Sequence, residues 1–223
     1  MFAALLDLPR LSPQEVLLRC TVLPVAAASV LGAVRFHRLA PPLRYLVGLL
    51  WFVLPLNVAS LVLMLQQRNN LFLMPVYAGG EFLGLALVYR QALQSAAFTR
   101  VLPWLAGGFA AYTLADSLFG PGITLFRPSQ QVLQSILVLG LVGLYFRKLL
   151  QELRVQSLAR EPMFWVSTGL FVYFVGYLQI ALFSNYLLHY SNQLNLNIWA
   201  VHSLLFIVLY SCYCLALWLR PQK

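Results

Sequence analysis

Seven long apolar stretches, separated by short polar connections, leave this chain few ways to fold. Each runs about 18 to 24 residues without apolar/polar alternation, which suits a helix crossing a hydrocarbon core and is roughly twice the length of a barrel strand. Hydrocarbon offers no water to an amide, so a backbone crossing it must close its own hydrogen bonds, as a helix does. Only 9% of the 223 residues are charged and 61% are hydrophobic. The expected fold is therefore all-α: an integral-membrane bundle of seven helices, with residues 1–223 forming one transmembrane domain and no soluble domain.

The spans are expected at residues 15–34, 43–65, 71–89, 101–119, 129–146, 163–187 and 197–219. Pro41-Pro42, Asn69-Asn70, Gly120-Pro121-Gly122, Pro128, Pro162 and the polar run 191–197 are turn and loop chemistry between them. With that division, one set of alternate loops and ends collects Arg35, Arg38, Arg44, Arg90, Arg100, Arg147, Lys148, Arg154, Arg160, Arg220 and Lys223, eleven cations. The other set has Arg10, Arg19, Arg68 and Arg127, four. Short loops rich in Lys and Arg stay cytoplasmic, so the amino terminus is expected outside and the carboxyl terminus inside.

The same distribution answers the net charge of +9. A nucleic-acid binder carries its cations on a continuous basic face with polar surroundings. Here they punctuate apolar spans, so no nucleic-acid partner is expected. Asp7, Pro9, Arg10 and Pro13 interrupt the start of the chain, which lacks the layout of a cleaved signal peptide. Cys20, Cys212 and Cys214 fall in or beside apolar spans without metal-ligand spacing, which fits small buried hydrophobes rather than a disulfide framework or a metal site.

From Arg147 to Arg160 four basic residues alternate with Leu149, Leu150, Leu153 and Leu158 at roughly helical spacing. This segment is expected to extend the fifth helix into the cytoplasm or along the membrane surface. It would anchor on anionic headgroups or dock a cytosolic signalling partner.

Ionisable residues inside a membrane cost at least about 2.5 kcal/mol each at the centre of a helix and call for a cavity or a partner. Glu81 lies near the middle of the third span and Asp116 about one turn from the end of the fourth. Asn57 and Ser60 fall in the second span, Gln134 in the fifth, Gln179 and Asn185 in the sixth, and His202 in the seventh. Laid antiparallel, all fall in the outer half of the bilayer, and the inner half is comparatively apolar. Glu81, His202, Asp116, Asn57, Gln134, Gln179 and Asn185 are the candidate ligand-binding residues. Asn and Gln also serve as interhelical contacts worth about 0.6 kcal/mol each, and His202 can be a satisfied core histidine or the partner of Glu81. Gly79-Gly80 and Gly84 suit close helix approach. Phe164, Trp165, Tyr177, Tyr186, Tyr190, Trp199 and Trp218 read mainly as aromatic belts at the span ends.

A retinal protein needs a Schiff-base lysine in its last span, and the only lysines, Lys148 and Lys223, lie outside the spans. No cofactor is expected. The stretch 161–174, EPMFWVSTGLFVYF, and Phe183-Ser184-Asn185-Tyr186-Leu187 resemble a group of small, uncharacterised seven-span bacterial membrane proteins. There a Pro-x-Phe-Trp entry to the sixth span recurs with a Glu-Phe pair in the third, matched by Glu81-Phe82, and His202 fits the pattern. The resemblance implies that fold and a bacterial inner membrane, and brings no assigned reaction.

The leading expectation is a receptor-like or accessory multi-pass protein that binds a small or lipidic ligand in an outer-half polar pocket and acts through a separate partner. The alternatives are a membrane-embedded lipid-directed hydrolase, somewhat like the lysoplasmalogenases, and a small transporter. The hydrolase would use Glu81, Asp116 and His202 as acid/base groups. An odd number of spans argues against the two equal inverted repeats of many transporters.

Overall fold

The computed structural model describes residues 12–120, 128–152, 158–187 and 192–219. Among them the chain is helical throughout: α1 (Pro13–Cys20), α2 (Val22–Arg35), α3 (Pro41–Leu65), α4 (Met74–Leu93), α5 (Ala96–Phe119), α6 (Pro128–Glu152), α7 (Pro162–Leu187) and α8 (Asn192–Trp218). Prolines open α1, α3, α6 and α7, where the missing N–H would have no intrahelical acceptor. Pro24 divides α1 from α2, since it cannot donate to the Cys20 carbonyl four residues back. Thr21 between them keeps helical dihedrals, so the two run on as one apolar stretch.

Among the described residues, six stretches are long and apolar enough to cross a membrane: Val16–Arg38, Pro41–Leu65, Leu71–Leu93, Pro128–Glu152, Pro162–Phe183 and Leu196–Trp218. The remaining long helix, α5, has 24 residues, ample length, but is not among the six. Arg100, Pro103, Gly107, Gly108, Tyr112, Thr113, Asp116 and Ser117 dilute its apolar character.

The packing gives α5 a separate place as well. Helices α2, α3, α4, α6, α7 and α8 pack each on the next, and α8 returns to α2, closing a ring; α1 lies against α8. Helix α5 packs on the outside of the ring, mainly against α4, and leaves Trp104 82% and Phe119 88% exposed. Direct contact of α4 with α6 is what displaces it. Inside the ring the core is built from Leu46, Leu50, Leu85, Val138, Leu170 and Leu209, all fully buried. The glycines of α4 serve the close approach expected of them: a Cβ on Gly80 would clash with the edge of the Phe52 ring, and one on Gly84 would sit 2.7 Å from Leu49 Cδ1.

At the end of the bundle that carries most of the cations, those cations close helix ends. Lys148 Nζ donates to the carbonyls of Ala92 and Leu93 at 2.9 and 3.0 Å, capping the carboxyl terminus of α4, and lies 3.7 Å from Glu152. Arg35 donates to the Leu217 and Trp218 carbonyls at the end of α8 and stacks over the Trp218 ring. Each pairs a positive side chain with the negative end of a neighbouring helix dipole. The Arg147 to Arg160 segment is only partly within the described residues: α6 continues through Glu152, residues 153–157 lie outside them, and Leu158–Arg160 form a short 3-10 turn.

Candidate functional site

At the opposite end the ring encloses a cavity of about 620 Å³. Its walls come from the first halves of α4, α6 and α8, the second halves of α3 and α7, and Leu18 and Thr21 where α1 meets α2. The cations just described sit at the other ends of these same helices. The polar lining is Asn57 and Ser60 from α3, Tyr77 and Glu81 from α4, Gln131 and Gln134 from α6, Tyr173 and Tyr177 from α7, and His202 and Ser203 from α8.

Glu81 is the deepest acid. It is 4% exposed, and its Oε2 accepts a 2.7 Å hydrogen bond from Gln134 Nε2, itself 2% exposed. Such a contact offsets part of the cost of holding a carboxyl away from water. His202 has a different partner: its Nε2 lies 3.0 Å from Tyr173 Oη, with the Tyr177, Tyr173 and Trp199 rings 4.9 to 5.6 Å away. Glu81 and His202 thus face one cavity without the mutual pairing their sequence positions suggest. Asn57 donates back to the Val53 carbonyl of its own helix at 3.1 Å.

Two expected members are elsewhere. Asp116 belongs to α5, outside the ring, and its Oδ2 accepts from Gln130 Nε2 at 2.6 Å where α5 meets α6. Gln179 is exposed on the outer face of α7, because Tyr173 and Tyr177 already turn the inward face of that helix to the cavity. The Asn185 side chain lies outside the described residues.

The tyrosines add what sequence reading missed. Tyr177 and Trp199, expected in the aromatic belts, line the cavity, and Tyr177 is 4% exposed. Tyr77 Oη approaches Tyr210 Oη at 3.5 Å, and the Tyr210 ring packs on Tyr213 at 5.2 Å. Further from the cavity, Tyr89 Oη meets Ser167 Oγ at 2.8 Å. The half of the bundle away from the cavity mouth therefore carries buried hydroxyls as well. A usable signal existed: His202, Phe206, Tyr210 and Tyr213 follow helical spacing down one face, in the middle of the last span rather than at its ends.

The mouth is held by the turn after α3. Asn70 Nδ2 donates to Ser60 Oγ at 2.7 Å, and Gln67 takes a left-handed conformation, φ 54°, so that Arg68 N can reach the Leu63 carbonyl. This closes α3 in a Schellman arrangement. Asn69 and Asn70, expected as turn residues, thus also border the cavity.

Among the described residues no group of three or more His, Cys, Asp or Glu could hold a metal ion. No protein-family model, curated protein or solved structure matches the chain.

Proposed function

We propose that this chain is a seven-span membrane protein of the bacterial inner membrane that binds a small or lipidic ligand in the cavity. It would act through a separate protein partner, as a receptor or an accessory subunit. In this reading α5 is the seventh span, the amino terminus is outside, and the cavity opens away from the cytoplasm. The charge count of eleven against four supports the orientation. The observation that carries the binding reading is a cavity of about 620 Å³ with a nearly inaccessible carboxyl on its wall. Volumes of roughly 300 to 1,000 Å³, mostly apolar walls and a few placed polar groups are the usual marks of a small-molecule site.

The second reading, a membrane-embedded hydrolase acting on a lipid, is favoured by Glu81 and His202 facing the same space. It loses Asp116, the third acid/base candidate, to the contact of α5 with α6.

Native mass spectrometry of the protein released from lipid nanodiscs tests the proposal. The wild type is expected to carry a stoichiometric bound molecule. Glu81→Gln should keep the bundle folded, since an amide preserves size and hydrogen bonding, and lose that molecule. Glu81→Leu should in addition cost about 1 to 3 kcal/mol by leaving Gln134 unpaired. A wild type without a bound molecule, or a Gln variant that retains it fully, would leave the cavity as packing space and the protein as a scaffold.

A further inference from the structure

Resting on the reading of the cavity as a ligand site, we infer that its ligand is an organic cation: an ammonium group bearing an apolar substituent, bound with the ammonium at Glu81.

The charge inventory of the walls carries the argument. Among the described residues lining the cavity, Glu81 is the one acid, and no lysine or arginine is present. Gln134 is the one described residue that donates a hydrogen bond to its carboxyl, and a single neutral donor leaves a carboxylate without a counter-charge. The groups that could have supplied more have other partners. His202 is paired with Tyr173, Tyr77 with Tyr210, and Asn57 with the Val53 carbonyl. Arg19 and Arg68 neighbour lining residues in the chain but are not themselves part of the lining, and Arg35 and Lys148 are held on backbone carbonyls at the other end of the bundle. An anionic ligand would thus meet a carboxyl with no compensating positive charge, and a neutral one would leave the carboxylate unpaired. A cation supplies what is missing.

The rest of the lining agrees. Tyr77, Tyr173, Tyr177, Trp199 and Phe206 surround the space. Aromatic faces attract a cation through the ring quadrupole, most strongly when water is excluded. Tyr173 and Tyr177 stack with centroids 5.6 Å apart, which makes one continuous aromatic wall. Towards the mouth the lining turns aliphatic, with Leu18, Leu56, Leu61, Met64, Leu71 and Met74. Those residues suit the apolar substituent, whether it is the chain of an amphiphile or a compact group on a water-borne amine.

The test uses the full-length protein in nanodiscs of neutral lipid. Trp199 fluorescence is read against a Trp199→Phe control, with thermal unfolding as a second readout. The probes are octyltrimethylammonium, 1-octanol and octyl sulfate, which share a chain and differ in charge, together with benzyltrimethylammonium. Octyltrimethylammonium should bind saturably and about tenfold or more tighter than 1-octanol, with octyl sulfate weakest. Benzyltrimethylammonium binding as tightly as the octyl compound would support the proposal with a water-borne cation as the source. Tight binding of the octyl compound alone would support it with a membrane amphiphile. Glu81→Gln should bring the cation and the alcohol to similar affinities. Tyr177→Leu, which leaves Glu81 untouched, should lower cation affinity several-fold and alcohol affinity little.

Saturable binding of octanol or octyl sulfate as tight as that of the cation would overturn the cation assignment and leave the ligand cavity standing. Absence of saturable binding by every probe would overturn both. The wild-type selectivity decides the matter even if Glu81→Gln fails to fold.

Discussion

At one end of the bundle Lys148 and Arg35 reach across to the carbonyl ends of α4 and α8. At the other, Glu81, Asn57 and His202 surround open space. Both ends place polar groups among apolar helices, with different results. The cationic end uses Lys148 and Arg35 on backbone acceptors left over at helix termini, so α4 and α8 are each held by a neighbour's side chain. The cavity end gives its polar groups only partial satisfaction, from Gln134, Tyr173 and a carbonyl of the same helix. Cations seated on helix-end carbonyls make a clamp, and polar groups arranged around a void have capacity left for something else.

The most drastic way to break this comparison is to find the two ends exchanged across the membrane. In a background lacking the native cysteines, Gln66→Cys, in the turn beside the cavity, should react with an impermeant thiol reagent in intact cells. Ala97→Cys, near the cationic end, should react only after permeabilisation. Both positions are exposed, so accessibility to the reagent reports sidedness. Reversed labelling would turn the cavity to the cytoplasm and void the eleven-to-four argument.

A second test asks whether the ring is as tightly built as the cavity is open. A Cβ on Gly169 of α7 would sit 2.8 Å from Cys212 Cβ of α8, an atom fixed close to its backbone. Gly169→Val should therefore cost about 1 to 3 kcal/mol or more through overpacking. Gly107→Ala on the outward α5, with nothing within 4 Å of the added methyl, should stay within about 0.5 kcal/mol of wild type. Equal effects in unfolding assays would mean that α5 is packed as closely as the ring, contrary to its exposed position.

The smallest expected effect sharpens the contrast between clamp and pocket. Lys148→Met removes two charge-assisted hydrogen bonds from the end of α4. It should cost about 1 to 2 kcal/mol, a value reduced because the side chain is a quarter exposed. Bound-ligand occupancy in native mass spectra should stay unchanged. A Lys148→Met protein that loses the ligand would show the two ends to be coupled, and the division drawn here would no longer hold.

Much of this was legible beforehand. The prolines at 41, 128 and 162 lie at helix starts as their chemistry requires, and the Gly80 and Gly84 contact surface was visible in the residue types alone. Of the residues that line the cavity, Glu81, Gln134, Asn57 and His202 stand out in the sequence as polar residues a bilayer would not tolerate singly. Asp116 and Gln179 passed the same test and lie elsewhere, since depth along a helix says nothing about which way round it a side chain points. Tyr77, Tyr173 and Tyr210 were overlooked for the converse reason: a tyrosine is apolar enough to need no special account in a span. Only the neighbouring rings and hydroxyls give it a role.

Hydropathy and length determined that the chain forms long apolar helices and the order in which they follow, while their ends moved by up to six residues, because a backbone in hydrocarbon must close its own hydrogen bonds wherever its helix stops. The order in which those helices close into a ring, the exclusion of α5, and the void between Glu81 and His202 were decided by the tertiary structure. Rotation of each helix and the choice of its neighbours depend on pairwise packing between residues distant in the chain, such as Gly80 against Phe52 or Gly169 against Cys212. No local pattern encodes such pairs, and it is the sum of these contacts that leaves the cavity where it is.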